Sequence, residues 1–384
     1  MTPVALTFSV LQTSGSLGEL SVLFAARSMP AIVFTVFGGW SADILNRRLT
    51  IVFADLSRAT VFLLLGVALI THIDNVFYLS GLMFTLGVVR SIEMPATNSL
   101  VTDIVTTAEL KEANAVLSGM DSIACVVGPL ITALLSQFMV LGYVVIFNAM
   151  ACVINSVLVY SLKLNTEADL KTGRPSRVED ILNGWREFKS RKWLVIMTVQ
   201  LSFLQAFVSI PYVLLGPQML MQHVNGIALW SMMVSTEGIG AIVGSWLGGY
   251  LKINNILIMT KLFVFGTALP MLALSLNMPS FMLLLASFLF GISTSVYGIF
   301  FNVGVQRSVP SRTLSRVTAF EMVVTVLLNP LGYLILSPLV KVLGIASVLL
   351  YGGMFTVIST VIVLFLIYPH SREIVIPEPD KESI

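Results

Sequence analysis

The chain has 384 residues, of which 56% are hydrophobic and only 11% charged. A soluble domain carries about 25% charge, so this composition, with a mean hydropathy of +0.92 over 41.8 kDa, excludes a water-soluble enzyme and a disordered chain. With 22 basic and 20 acidic side chains the net charge is +2, which offers no face for nucleic acid or another polyanion.

What remains is a polytopic membrane protein. A helix needs about 20 apolar residues to cross the hydrocarbon core. Apolar runs at 18–40, 51–71, 76–97, 114–137, 142–162, 193–218, 228–251, 256–276, 279–302, 318–340 and 345–368 predict eleven full spans. Lipid leaves backbone groups no water to bond, so the spans are helices or a closed barrel. The unbroken apolar runs 61–70 and 357–367 lack the alternation of barrel strands, so they are helices. Ahead of them, residues 4–10 are apolar and 12–16 read as a loop, about half a span. No basic segment precedes it, so it is not an ordinary signal peptide. The expectation is a chain that begins inside a first helix, through a late start or as a fragment; the alternative is a true eleven-span protein.

Basic residues set the orientation. One set of loops holds Arg47 and Arg48, Lys111, the 163–192 stretch, Lys252, Arg307 with Arg312 and Arg316, and the tail with Arg372 and Lys381. The alternate loops hold little beyond His72, Asp74, His223 and Lys341. The basic loops and the C-terminus are expected in the cytoplasm, with the chain multi-pass in the cell membrane. Four segments follow: an N-terminal bundle at 1–162 with a partial first helix, a cytoplasmic linker at 163–192, a C-terminal bundle at 193–368 and a cytoplasmic tail at 369–384. Trp185 and Phe188 among charges predict a short surface helix in the linker.

The halves echo each other. Gly38, Gly39 and Trp40 are matched by Gly248, Gly249 and Tyr250, and Val127-Gly128-Pro129-Leu130 by Leu328-Asn329-Pro330-Leu331. An acid precedes each of the latter pair: Asp121 and Glu321. Parallel six-span repeats are a transporter architecture, with the site near the midplane between them.

The segment from Gly38 to Arg48 resembles the loop signature of the major facilitator superfamily, Gly-x-x-x-Asp-Arg-x-Gly-Arg-Arg. Gly39, Asp43, Arg47 and Arg48 match it; Ile44 and Asn46 depart from it. Ala54-Asp55-Leu56-Ser57-Arg58-Ala59, Ala113-Asn114-Ala115, Gly128-Pro129, Gln306-Arg307-Ser308-Val309-Pro310 and Ser315-Arg316-Val317 resemble the branch of enterobactin-exporter-like and macrolide-efflux-like carriers. The resemblance implies two six-helix bundles. It also implies a latch role for Asp43 and the arginines on the cytoplasmic side, and export as the direction. Ile44 removes one latch charge. Ile131 and Thr132 stand where export members carry glycine or alanine, which weakens the inference of antiport.

A charge inside a span costs at least about 2.5–3.5 kcal/mol and usually faces a cavity or partner. The candidates are Arg27, Arg90, Glu93, Asp121, Glu237 and Glu321. Arg90 and Glu93, three apart, share a helix face; they are either a structural pair or a bridge that breaks during transport. Arg27 is placed to pair with Glu93 or Asp121, or to attract an anionic substrate. Glu321 is either a wet helix end or functional. Glu237 sits among Ser235, Thr236, Gly238 and Gly240, a small polar face suited to a cavity. Glu237 and Asp121 are candidate proton carriers or substrate contacts. The aromatics Phe203, Phe207, Tyr212, Tyr297, Phe300 and Phe301 read mainly as lipid-facing or packing residues, with the lining of an apolar drug site as the alternative.

Cys125 and Cys152 give neither a disulfide framework nor metal spacing. No phosphate loop or catalytic constellation is present, so the chain is expected to be no enzyme, to use no cofactor and to draw on a proton gradient. The expectation is a monomeric carrier in the lipid bilayer that exports an amphipathic small molecule, drug-like or siderophore-like, by alternating access. The alternatives are an uptake or facilitative carrier and a non-transporting or degraded membrane protein.

Overall fold

The computed structural model describes residues 7, 17–44, 47–73, 75–104, 138–162, 178–221, 225–251, 255–309 and 311–370, with short runs between 117 and 135. In the N-terminal half, α1 is Leu17–Ile44, α2 Arg47–Ile70, α3 Val76–Ile104 and α4 Leu141–Ser161. A linker helix, α5, covers Val178–Ser190. The C-terminal half holds α6 (Lys192–Leu220), α7 (Gly226–Gly249 and Tyr250), α8 (Ile256–Ser275) and α9 (Ser280–Ser308). It ends with α10 (Ser311–Val326), α11 (Asn329–Leu343) and α12 (Ile345–Ile367). Among the described residues, nine helices are long and apolar enough to cross a membrane; α1 adds another helix of 28 residues.

Several helices outrun their apolar segments. The expected ends at 40, 97 and 302 become Ile44, Ile104 and Ser308, and the expected start at 318 becomes Ser311. Arg307 and Arg316 are therefore helical, not in an open loop. Hydropathy marks where lipid ends, whereas the helical hydrogen-bond ladder continues into the interface. Two helices change pitch inside the bundle. A π-turn at Gln205–Ser209 interrupts α6 just before Pro211, which has no N–H to offer the preceding turn. A 3₁₀ turn at Phe265–Ala268 does the same in α8 before Pro270.

Small residues set the closest packing. On α7 and α9, a Cβ on Gly291 would stand 1.9 Å from the Glu237 carbonyl oxygen, and one on Gly240 2.1 Å from that of Phe288. On α2 and α4, Gly66 and Gly142 each leave 2.8 Å between such a Cβ and the other's carbonyl.

The repeat is visible in the backbone. After α2 the chain turns through His72 at φ 53°, and the Ile73 N–H reaches back to the Ala68 carbonyl at 2.9 Å. After α8 it turns through Asn277 at φ 49°, and the Met278 N–H reaches the Ala273 carbonyl at 3.0 Å. Both are the same left-handed helix cap, at equivalent places in the two halves. Asn75 then caps α3 by accepting from the N–H groups of Phe77 and Tyr78.

The apolar core is distributed unevenly. At the end of the molecule away from the linker, one cluster joins both halves, from Leu20, Leu23 and Phe24 through Leu65 and Val144 to Leu214, Met271, Leu336 and Leu349. The Phe24 and Tyr333 rings stack there at 5.7 Å, between α1 and α11. At the linker end the described core divides. Trp193, Ile256, Phe301 and Val317 belong to a cluster of the C-terminal half alone, and Ile51, Ala96 and Leu100 to one of the N-terminal half. Helix α5 docks on this C-terminal group. Phe188 is buried, and Trp185 stacks on it at 5.7 Å and meets Phe320 of α10 at 5.4 Å.

Candidate functional site

Three polar groups lie within the helices. The first is an ionic cluster in the N-terminal half. Arg58 on α2 donates from Nη1 to both oxygens of Glu93 on α3, at 2.9 and 2.7 Å. Its Nη2 donates to Asp55 one turn earlier. Asn155 on α4 donates to the other Asp55 oxygen at 2.7 Å. Asp55 is fully buried. Four side chains on three helices are thus tied together by charge and hydrogen bonds, as buried charge requires, while Arg58 Nε has no partner among the described residues.

This cluster corrects the expected Arg90–Glu93 pair. Residues three apart on a helix diverge by about 60°. Glu93 turns inward to α2, where Arg58 meets it, while Arg90 is exposed and reaches Glu93 only through its charge. Arg27 does not take Glu93 either. It lies on α1 within electrostatic reach of Tyr333 on α11, at the joint between the halves. The sequence motif that contains Asp55 and Arg58 had flagged a resemblance; it did not reveal that the two form the buried half of an ion pair.

The second group surrounds Glu237. This carboxylate sits near the middle of α7, half-buried, and makes no hydrogen bond or ion pair among the described residues. The ring of Tyr212 on α6 is close enough to feel its charge. Tyr212 in turn packs on Trp230 at 5.1 Å and Phe290 at 5.8 Å. Two residues before Glu237, Ser235 donates to the carbonyl of Val126 in the N-terminal half at 3.0 Å. Helix α7 thus touches the N-terminal half two residues before Glu237, and small residues keep its backbone against that of α9.

The third group was missed by sequence reasoning. Lys261 on α8 is wholly buried. Its Nζ donates to Oε1 of Gln200 on α6 at 2.5 Å and lies 5.8 Å from the ring centre of Tyr297 on α9. Gln200 donates onward to Ser359 and Thr360 of α12, both at 3.3 Å. The signal available in sequence was one lysine inside the run 256–264, where its flanking residues read as a span start. Glu321 on α10 lies nearby, half-buried, hydrogen-bonded only to Thr325 at 3.2 Å and within electrostatic reach of Tyr297.

The remaining candidates are placed in part. Arg48 lies over the Tyr160 ring at 4.7 Å, which ties the start of α2 to the end of α4. Gly39 and Asp43 fall in the last turns of α1 and Arg47 opens α2; their side chains lie outside the described residues, as does all of Asp121. Among the described residues no three His, Cys, Asp or Glu side chains converge to hold a metal.

Comparison with known proteins agrees with this architecture. The chain is 22% identical to macrolide efflux protein A of Streptococcus pyogenes, over 97% of its own length and 91% of the relative's. It is 25% identical to the multidrug efflux pump Tap of Mycolicibacterium fortuitum, over 97% and 93% of the two chains. Among solved structures, the nucleoside transporter NupG superposes with a TM-score of 0.77 at 12% identity, covering 94% of each chain. The family profile described as Major Facilitator Superfamily matches residues 1–332. A multi-pass helical chain that this profile matches over most of its length, with efflux proteins among its relatives, is a transporter: it belongs to the Major Facilitator Superfamily.

Proposed function

We propose that the chain exports an amphipathic small molecule across the cell membrane in exchange for protons, by alternating access between its two halves. The observation that carries this reading is Glu237, a carboxylate without a partner among the described residues, two residues from the Ser235–Val126 contact between the halves. A carboxylate away from water favours its protonated form, so one that meets water on alternate sides is suited to carry a proton. The joined core at one end and divided core at the other support a rocking motion about a central site. The named relatives support export and a drug-like substrate. The positive-inside asymmetry supports a cytoplasmic linker and C-terminus, and the chain is read as a monomer with no cofactor.

The test is accumulation of labelled erythromycin, a fluorescent dye cation and a ferric siderophore in cells expressing the chain or Glu237→Gln, with and without a protonophore. Lower accumulation of one compound, reversed by both the protonophore and the substitution, is expected. Export that survives the protonophore would overturn proton coupling and favour a facilitative carrier.

A further inference from the structure

We propose that Lys261 is a second proton-exchange site of this carrier, housed in the C-terminal half at the place where the N-terminal half keeps its locked ionic cluster. The proposal rests on the reading of the chain as proton-coupled.

The two clusters occupy equivalent positions in the repeat. The sequence offset between the twin caps at His72 and Asn277 recurs, to within one residue, between Asp55 and Lys261, between Glu93 and Tyr297, and between Asn155 and Thr360. Each cluster thus links the first helix after the basic loop to the next helix and to the last helix of its half. Their chemistry differs. In the N-terminal half, Arg58 answers Glu93 and Asp55, and every member is held by a charge or an amide. In the C-terminal half no carboxylate among the described residues answers Lys261.

The groups that face Lys261 come from three helices. Helix α6 offers Gln200, α12 offers Ser359 and Thr360 through Gln200, and α9 offers Tyr297. Tyr297 is the titratable group among them; Glu321 of α10 stands beyond it, near the tyrosine rather than the lysine. Within α8 itself Lys261 is the one charged side chain. A buried ammonium with no counter-charge is expensive in a membrane. If the cluster served only to join helices, a neutral side chain or an ion pair like that of Arg58 would do so at lower cost.

The surroundings can hold either state of the amine. The Gln200 carbonyl accepts from a neutral amine or from an ammonium, and the Tyr297 ring face suits the cation. Among the described residues the buried Tyr297 hydroxyl has no hydrogen-bond partner. It is a group through which water can hand on a proton when the halves part. The step is balanced: hydronium gives a proton to the Nζ lone pair and leaves water, and the ammonium returns that proton to water on release. Arg58, bound to its two carboxylates, has no such freedom.

The test uses the full chain in liposomes with Cys125→Ser and Cys152→Ser and one reporter, Leu17→Cys, at the joined end. Maleimide reactivity of the reporter is followed from about pH 5 to about pH 8 without substrate. Lys261 is expected to give a several-fold change across that range. Lys261→Met is fixed neutral and Lys261→Arg fixed positive; each should lose the change, at different plateau reactivities. Any pH response from Glu237 and Glu321 is common to all variants. A profile that Arg or Met leaves unaltered overturns the proposal, since charge or packing alone would then suffice. Should either variant fail to fold, Gln200→Met removes the acceptor and keeps the lysine. It must move the midpoint by about half a pH unit or more, and an unmoved midpoint overturns the proposal. Because no substrate is present, failure of protonophore-sensitive export sinks the functional reading and leaves this result standing, and a pH profile that Lys261→Met and Lys261→Arg leave unaltered does the converse.

Discussion

Arg58 holds both oxygens of Glu93 across the interface of α2 and α3, while its other nitrogen holds Asp55. Removing one member strands the rest. Arg58→Met leaves two buried carboxylates uncompensated and should cost about 3–5 kcal/mol. The double variant Arg58→Met, Glu93→Leu should be less destabilised than Arg58→Met alone. Thermal unfolding of the purified protein in detergent measures both. Additive losses would mean that the pair does not act as a unit.

The approach of α7 to α9 makes a prediction with a built-in control. A side chain at Gly291 meets the backbone of Glu237, so Gly291→Leu should force the helices apart and lower the melting temperature, at a cost of about 1–3 kcal/mol or more. Gly298, two turns on, has nothing within 4 Å of its Cβ position. Gly298→Ala should be tolerated. Equal melting temperatures for the two variants would contradict this packing.

The last turn of α1 carries Asp43 beside the start of α2. Asp43→Asn should abolish transport and leave the amount of protein in the membrane unchanged. Immunoblotting of membranes beside an efflux assay separates the two effects. Undiminished efflux would remove Asp43 from the gate.

The linker helix α5 should depend on Trp185, which touches Phe320 as well as Phe188. Trp185→Ala should loosen α5 from α10 and speed proteolytic cleavage of the 163–190 stretch several-fold, with the spans intact. Limited digestion followed by mass spectrometry reads this directly. An unchanged cleavage rate would mean that α5 is held elsewhere, for instance by Arg191, which bonds Glu187 and the Ser308 carbonyl.

Much of the fold was legible because lipid imposes a simple rule: about 20 apolar residues, then a turn. The short helix around Trp185 was equally legible, from aromatic residues set among charges. The helix ends were not, since Arg307 and Arg316 look like loop residues to any hydropathy measure yet continue the helices. Pairing was legible only where partners share a helix, and that local view chose the wrong partner for Glu93. Arg58 lies 35 residues away and became visible only once α2 and α3 were packed together. Lys261 went unseen for a similar reason. One cation near the start of an apolar run reads as an interfacial residue, and its burial depends on α6, α9 and α12 closing around it. Glu237 stands out in the sequence because its flanking small residues are local to it.

The joined core has a thermodynamic consequence. To open at that end, the protein must uncover Leu20, Leu23, Phe24 and Leu336 together. Each such side chain costs about 1.5–3 kcal/mol if fully exposed to water. Under the alternating access proposed above, this cost biases the resting carrier toward the state closed there. A ligand can redress that bias only by binding the rarer state more tightly; tight binding shared equally between the states would fill the site and move nothing. Mutations that shave this core should therefore do what a transported ligand does, and raise the population of the opposite state with nothing bound.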